Sequence, residues 1–294
     1  MSLHLKLFNT TAEYNAYTAD TSNFILPNVS FAMDDLNTVH YNSIPPETRV
    51  VAKYNVTSTS SPTQIGDYDH ISGFSAIEID GVVQPSVVSV YTFSTTGEHT
   101  VKYTLTDPTS ISEYAFCYCD SLTNIVMPSG VTSIGEYTFQ YCESLTSIVI
   151  PSGVTSIGEG VFDGCTGITS IEIPSGVTSI DRYTFNDCSS LTSCTIGNGV
   201  TSIGDNVFTK CTSLTSINIP SGVTRIGDYA FRGCSSLTSI VSNAVTAPSI
   251  YRNTFQDIKT GGILTVPISN FGYNLWMSVS DYYLGKYGWT KVEQ

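Results

Sequence analysis

Hydrophobic residues return every 23 positions along the middle of the chain, and each column keeps nearly one residue type. The isoleucine column is Ile111, Ile134, Ile157, Ile180, Ile203 and Ile226. The phenylalanine column is Phe116, Phe139, Phe162, Phe185, Phe208 and Phe231. The cysteine column is Cys119, Cys142, Cys165, Cys188, Cys211 and Cys234. Six copies run from Ile111 to about Pro248, and a seventh starts at Ile250 and reaches Phe255. A fixed period of about 20–50 residues indicates a solenoid.

Each copy predicts a short strand, a return turn and a second wall of the core. In "LTSIVIP", residues 145–151, three apolar side chains point inward from a strand, and Gly153 is free to take a positive φ in the turn. Ile157 and Phe162 supply the opposite wall. The apolar side chains that one copy buries contribute roughly 8–15 kcal/mol of favourable free energy. Ordering its residues costs more, at ~1–2 kcal/mol each. The copies are therefore stable only as a stack.

The stretch "IGDYAFRGCSSLTSI", residues 226–240, resembles the leucine-rich repeats of the BspA-like (Treponema-type) family. The resemblance covers residues 111–255, and its departures are Ile168 for Leu, Cys194 for Ile and Gly197 for Pro. It implies a right-handed β-solenoid with few helices and a non-enzymatic binding or adhesion role. The ligands of that family are diverse, so the resemblance implies no particular one.

On the N-terminal side, residues 49–107 alternate apolar and polar side chains in several short runs. Asp80-Gly81 between two such runs is a two-residue hairpin signal. We expect about five antiparallel strands that form a small β-sandwich-like, immunoglobulin-like domain, whose last strand stacks on the first repeat. Residues 1–48 are predicted to be an extended segment used for attachment.

On the C-terminal side, the solenoid is predicted to span residues 108–260 and to be closed by a cap, residues 261–294. The cap is predicted to contain one strand and a short helix, because Trp276, Val279 and Tyr283 lie at near-helical spacing. The predicted fold is therefore mostly β, with a solenoid of 23-residue repeats between two non-repetitive ends.

The stretch "LPNVSFAMDDLNTVHYN", residues 26–42, is similar to a short leader of structural proteins in tailed phages that infect gut bacteria. This similarity implies a virion protein assembled in the cytoplasm. The first residues do not show the basic and then apolar pattern of a signal peptide. This fits either a virion protein or a signal peptide that was trimmed.

The net charge of the chain disfavours two classes of binding partner. The chain carries 12 basic and 25 acidic residues, a formal charge of −13. Nucleic acids require clustered Lys and Arg, and anionic membranes attract basic segments, so both are disfavoured. No apolar run approaches the ~20 residues of a membrane span.

No residue pattern predicts catalysis or a cofactor. The histidines are dispersed, and none has a Cys or Ser in a nucleophile setting; they are His4, His40, His70 and His99. "GDYDH", residues 66–70, is either a cation site or, as we favour, a polar loop. The cysteine column has three readings: disulfides, a metal site or small apolar filler. Cysteines stacked in a straight column point the same way, which favours the small apolar filler over disulfides or a tetrahedral metal site. Cys117 is expected to face outward as a free thiol, and Cys194 to lie in the core.

The candidate partner-binding surface is a row of tyrosines between the Ile and Phe columns: Tyr114, Tyr137, Tyr183 and Tyr229. Gly160 and Asn206 take the same position in other copies. Aromatics in a row can stack on sugars or anchor a protein partner, or they merely cover the convex edge. The strand face is plainer, with Ser and Thr outward in most copies.

These patterns predict a non-enzymatic display and binding protein. Its contacts would be multivalent, to a protein or a glycan, and residues 1–48 would attach it to other virion or cell-envelope proteins; an oligomer is possible. Two settings remain open: the virion surface, or a bacterial cell surface or secreted adhesin.

Overall fold

The chain divides into two compact units, Met1–Glu47 and Thr48–Gln294. In the first unit, β1 (Val29–Met33) pairs antiparallel with β2 (Val39–Ser43). The rest of the predicted attachment segment, residues 1–48, lies almost entirely outside the described residues. A computed structural model of the chain describes residues 29–33, 39–43, 48–280 and 282–294.

The alternating residues at the start of the second unit form antiparallel strands. Buried and exposed side chains alternate along the two longest, because successive side chains of a strand point to opposite faces. A 3-10 turn occupies Ile71–Gly73. The strands are β3 (Arg49–Val56), β4 (Thr63–Gln64), β5 (Phe74–Ile79), β6 (Val82–Val83), β7 (Val90–Tyr91) and β8 (Gly97–Leu105).

The repeats form a β-solenoid in which each 23-residue rung contributes two short parallel strands. Partners in neighbouring rungs are 23 residues apart, as in Ile134 with Ile157. The main strands are β10 (Leu122–Val126), β12 (Ser147–Ile148), β14 (Ser170–Glu172), β16 (Ser193–Thr195), β18 (Ser216–Ile219) and β20 (Ser239–Ser242). The short strands are β9 (Ser110–Ile111), β11 (Ser133–Ile134), β13 (Ser156–Ile157), β15 (Ser179–Ile180), β17 (Ser202–Ile203) and β19 (Arg225–Ile226). The predicted mostly-β solenoid is confirmed.

A stack of phenylalanine rings runs through the core beneath the turns that follow the short strands. All six repeat phenylalanines are fully buried. Successive ring centroids lie 5.4–5.6 Å apart with nearly parallel planes, from Phe116 to Phe231. As in the repeat family that the sequence resembles, we call the turn side of the solenoid convex and the main-strand side concave.

At the N-terminal end, β3 rather than the last strand, β8, pairs with the first rung, although Tyr103 of β8 packs against Phe116 of that rung. β8 lies in the sheet interior between β3 and β5, so both its edges are occupied. β3 has the free edge, and it pairs antiparallel with β10. One sheet, in the order β12-β10-β3-β8-β5-β6, therefore includes both repeat strands and the antiparallel strands. Residues 49–107 thus extend the solenoid sheet, and within them β4 and β7 pair outside that sheet.

The aromatic column continues into the N-terminal strands. Phe116 contacts Tyr103 and Phe74, with ring centroids 5.1 and 5.5 Å away. The buried hydroxyls of Tyr54 and Tyr103 lie 2.8 Å apart, and both donate to the carbonyl oxygen of Ile65. These strands thus supply the apolar and polar partners that a preceding rung would supply.

At the C-terminal end, the chain adds two strands, and the described residues between 276 and 283 form no helix. β21 (Ile263–Val266) pairs with β20, and β22 (Thr290–Glu293) pairs with β21. Residues 273–277 are a turn, and a 3-10 helix follows at Leu284–Tyr287. The helix prediction was wrong because only Trp276 faces the core, 5.3 Å from Phe255, while Val279 is 80% exposed. No helix among the described residues is long and apolar enough to span a membrane.

Candidate functional site

The candidate tyrosines occupy left-handed backbone positions in the convex turns. Tyr114, Tyr137, Tyr183 and Tyr229 have φ values between 52° and 57°. Gly160 and Asn206 hold the same conformation in their rungs. For a residue with a large side chain this region is strained by about 1–2 kcal/mol. At these positions, glycine or asparagine would relieve backbone strain that tyrosine does not.

A second left-handed column lies four residues further on, and sequence reasoning did not identify it. It contains Tyr118 and Tyr141 in the first two rungs, with φ of 59° and 55°. Later rungs have Gly164, Asp187, Lys210 and Gly233 at this position, all with positive φ. The signal was present in the sequence, because Gly and Asp favour this conformation and occupy the same column as Tyr118 and Tyr141.

In the first two rungs, the tyrosines stack in pairs along the solenoid. Tyr114 and Tyr137 have ring centroids 5.2 Å apart, and His70 covers the other face of Tyr114 at 4.8 Å. The Tyr137 ring lies against Gly160, where an added Cβ would be 2.3 Å from it. The Tyr137 hydroxyl donates to Glu159 at 2.6 Å. The faces of these two rings are covered, so the surface presents their edges and hydroxyls.

The four predicted tyrosines do not form one continuous row. Gly160 separates Tyr137 from Tyr183, and each later tyrosine has a cation of its own. The guanidinium of Arg182 lies 5.3 Å from the Tyr183 ring, and that of Arg232 lies 5.4 Å from Tyr229. The structure therefore brings together Tyr114 and Tyr137 and leaves the other two apart.

Between the two tyrosine columns, a chain of polar side chains crosses the rungs. Gln140 donates to Asp163 at 2.8 Å, and Asn186 donates to the other oxygen of Asp163 at 2.7 Å. The Cys117 thiol donates to the Gln140 side-chain oxygen at 3.5 Å. The prediction that Cys117 faces outward is wrong: its residue is 2% exposed. Burial, with smaller contributions from Asp67 and Asp163, raises the pKa of Cys117 to about 12, so it is a protonated thiol.

The repeat cysteines are buried free thiols that also act as donors. From Cys142 onward, each thiol donates to the carbonyl oxygen of the Phe one rung earlier, at 3.0–3.1 Å. Burial raises the pKa of every ladder thiol, which keeps the donating proton in place. None of the eight cysteines forms a disulfide, and Cys194 is in the core. The side chain is a small filler that also links adjacent rungs.

The predicted polar loop at residues 66–70 satisfies its own hydrogen bonds. His70 Nδ1 lies 2.6 Å from Asp67, and the backbone N–H of Asp69 donates to the same oxygen at 3.0 Å. His99 is bound by Asp80 in the same way, at 2.6 Å. In the part of the chain that the structure describes, no three His, Cys, Asp or Glu side chains converge on a metal position.

The concave face is uniform and nearly uncharged. Threonine hydroxyls donate to the carbonyl of the previous rung, as Thr192 does to Thr169 at 2.9 Å. Glu172 is the one charged side chain of the main repeat strands. Val126 and Val149, 56% and 81% exposed, border a shallow apolar hollow at the first two rungs.

Comparison with known proteins agrees with this geometry. Residues 109–238 match, in six copies, the family described as BspA type Leucine rich repeat region. The stack is a leucine-rich repeat solenoid. No curated protein matches the chain.

Several solved structures are similar to the leucine-rich repeat solenoid. A leucine-rich repeat protein from Bacteroides ovatus ATCC 8483 is 27% identical, with a TM-score of 0.44 over 63% of this chain and 51% of that one. The T. pallidum leucine-rich repeat protein is 25% identical, with a TM-score of 0.42 over 62% and 89%. A leucine-rich cell surface protein from Faecalibacterium prausnitzii A2-165 is 20% identical, with a TM-score of 0.38 over 84% and 71%. The chain thus spans about half of the first of these proteins.

Proposed function

We propose that the protein is a non-enzymatic binding protein that displays its leucine-rich repeat solenoid on a surface. The observation that carries the proposal is the retention of Tyr114, Tyr137, Tyr183 and Tyr229 at left-handed positions. Strain of this kind persists where the surrounding structure enforces it and often marks functional positions. Tyrosine offers a large contact area with few rotatable bonds, which suits a partner surface.

The partner is a protein, in this proposal, and the contacts are shallow and repeated. A sugar ring stacks on an aromatic face, and the faces of Tyr114 and Tyr137 are covered by His70, by each other and by the backbone at Gly160. Edges and hydroxyls serve hydrogen bonds and side-chain packing instead. Weak contacts at several rungs would add up through avidity.

For location, we favour the surface of a bacterial cell, or secretion, with residues 1–48 as the attachment segment. The support is the match of the repeats to the BspA type family, together with the adhesion role that this resemblance implies. A virion surface is the second candidate, and one observation favours it: residues 26–42 are similar to a leader of tailed-phage structural proteins.

Replacing all four candidate tyrosines by Ser tests the binding proposal. Binding of the purified protein to whole bacterial and host cells should weaken, while far-UV circular dichroism should show a folded solenoid, since none of the four rings belongs to the buried core. A matched control replaces four concave serines by Ala: Ser147, Ser170, Ser193 and Ser216. Normal binding by the tyrosine variant would remove this surface from consideration, as would an equal loss in the control.

Deleting residues 1–48 tests the attachment proposal. The truncated protein should be released from its parent cell or particle with the solenoid still folded, as judged by far-UV circular dichroism of the released fraction. Immunogold labelling separates the two settings, because it would decorate either the bacterial envelope or the virion. Attachment that survives the deletion would place the anchor elsewhere in the chain.

A further inference from the structure

The charges of the solenoid are distributed unevenly along its length. Between Lys102 and Arg182 the chain has no Lys or Arg, but it has nine acidic residues. They are Asp107, Glu113, Asp120, Glu136, Glu143, Glu159, Asp163, Glu172 and Asp181. In the described part of the chain, none of them has an ion-pair partner. The later rungs are different, because Lys210 and Arg225 pair there with Asp187 and Asp205 at 3.5 and 3.6 Å.

In the later rungs, the convex surface repeatedly combines a tyrosine, an arginine and a carboxylate. Arg225 lies 5.4 Å from the Tyr251 ring and 3.6 Å from Asp205. Arg232 lies over Tyr229 and 4.0 Å from Asp257. Arg182 over Tyr183 is a third case. A hydrogen bond with Tyr183, and then the charge of nearby Glu159, raise the pKa of that arginine. The molecule thus shows three times how its own convex tyrosines receive a guanidinium.

The first two rungs have the tyrosines and the carboxylates but no arginine. Tyr118 and Tyr141 stack with centroids 5.1 Å apart, and they are 52% and 36% exposed. Among the described aromatic residues, Tyr118 pairs with Tyr141 alone, and about half of Tyr118 is exposed, so we call the ring face turned away from Tyr141 its open face. We call these two rings, with Asp120, Glu143 and Asp163, the acidic tyrosine patch.

Electrostatic effects within the patch point the same way. Asp163, and then burial, raise the pKa of the Tyr141 hydroxyl. Burial, and then Glu143, raise the pKa of Asp120. In both groups, part of the rise in pKa comes from a neighbouring negative charge, which a cation would relieve. The charge is complementary to a basic partner and repels an acidic one.

We propose that the acidic tyrosine patch binds an arginine-rich segment of a partner protein, with one guanidinium stacked on the open face of Tyr118 and neighbouring arginines paired with Glu143 and Asp120. Arginine fits better than lysine because its planar group stacks on aromatic rings and pairs with carboxylates in two-point geometry. The inference deepens the proposed binding function, on which it rests, and it names the chemistry of the partner.

The test uses the full chain and a short fluorescein-labelled peptide of repeated Arg-Ser-Gly units, with binding followed by fluorescence anisotropy. The wild-type protein should bind this peptide, and binding should weaken as salt is raised from about 0.02 to about 0.15 M. The double variant Tyr118→Ser, Tyr141→Ser should bind roughly two- to five-fold more weakly, the loss of one exposed cation–π contact. A charge-only variant, Glu143→Gln with Asp120→Asn, keeps the rings and should lose roughly two- to ten-fold at low salt.

Two further variants distinguish the patch from a general effect of tyrosine. Tyr251→Ser is the matched control, because Arg225 already covers that ring, and it should leave peptide binding unchanged. Arg225→Ser uncovers the same ring and should strengthen binding. Thermal melts monitored by circular dichroism check that each variant is folded.

The proposal is overturned if the peptide does not bind, if a Gln-Ser-Gly or Lys-Ser-Gly peptide binds equally well, or if Tyr251→Ser weakens binding as much as the patch variants. Retained binding in both the tyrosine and the charge-only variant would also overturn it. The broader binding function is tested separately, because the cell-binding variant changes none of the patch residues.

Discussion

Removing one ring from the interior of the phenylalanine stack should destabilise the whole solenoid. Phe185 is fully buried and stacks between Phe162 and Phe208, with centroids 5.6 and 5.5 Å away and planes within 14° of parallel. Phe185→Ala removes the buried ring and leaves a cavity, which costs about 3–5 kcal/mol in the free energy of unfolding. Phe185→Leu keeps most of the apolar volume but loses both stacked pairs, which contribute about 0.5–1.5 kcal/mol each. We therefore expect a loss of about 1–3 kcal/mol for the leucine variant.

Urea unfolding followed by far-UV circular dichroism measures these losses. Both tryptophans of the chain, Trp276 and Trp289, lie in the C-terminal segment, so their fluorescence reports unfolding at that end. Coincident curves from the two probes would establish all-or-none unfolding, which the free energies require. Val149→Ala is the matched control: that side chain is 81% exposed, so the change should stay within about 0.5 kcal/mol. A Phe185→Ala loss below about 1.5 kcal/mol with an unchanged urea slope would refute the reasoning.

Three further outcomes follow from the structure. The repeat thiols and Cys117 should resist iodoacetamide in the native protein at pH 8 and react after denaturation, as counted by mass spectrometry; rapid native labelling of Cys117 would contradict its burial. Deleting residues 261–294 should expose the ring of Phe255 and cause aggregation, visible by light scattering, and a monomer with an unchanged melting curve would refute the capping role. Gly160→Ala should lower the melting temperature, because φ is +61° and the new Cβ meets the Tyr137 ring; an unchanged melt would show that the ring moves freely.

Periodicity predicted the architecture well, because every repeated side chain has the same neighbours one rung away. The spacing of Phe116 and its successors is sufficient to predict both their burial and their stacking. It was not sufficient at the two ends, where no copy supplies a template. Strand order in the N-terminal sheet depends on which edge remains free, and the sequence order of β3 and β8 does not contain that information.

The repeat pattern places the candidate tyrosines in the turns, but it does not predict their backbone conformation. Tyr137 was expected to face outward, but its left-handed backbone and its contact with Gly160 depend on the shape of the turn. Cys117 was expected to face outward because side chains alternate between the two faces of a strand. It lies in a turn instead, where they do not alternate. The cations over Tyr183 and Tyr229 are Arg182 and Arg232, which occupy other columns of the repeat. A single column of equivalent positions therefore does not show that they cover the rings.

The near-identity of the rung interfaces has a genetic consequence. The main-strand contact between Ser216 and Ser239 has the same register as the one between Ser170 and Ser193. A recombination event that inserts or removes one 23-residue unit in frame would rejoin equivalent surfaces and leave both ends paired as before. Each such event would change the separation of the ends by about 5 Å. The reach of the molecule can thus evolve in discrete steps by unequal crossing-over, with no compensating point mutation.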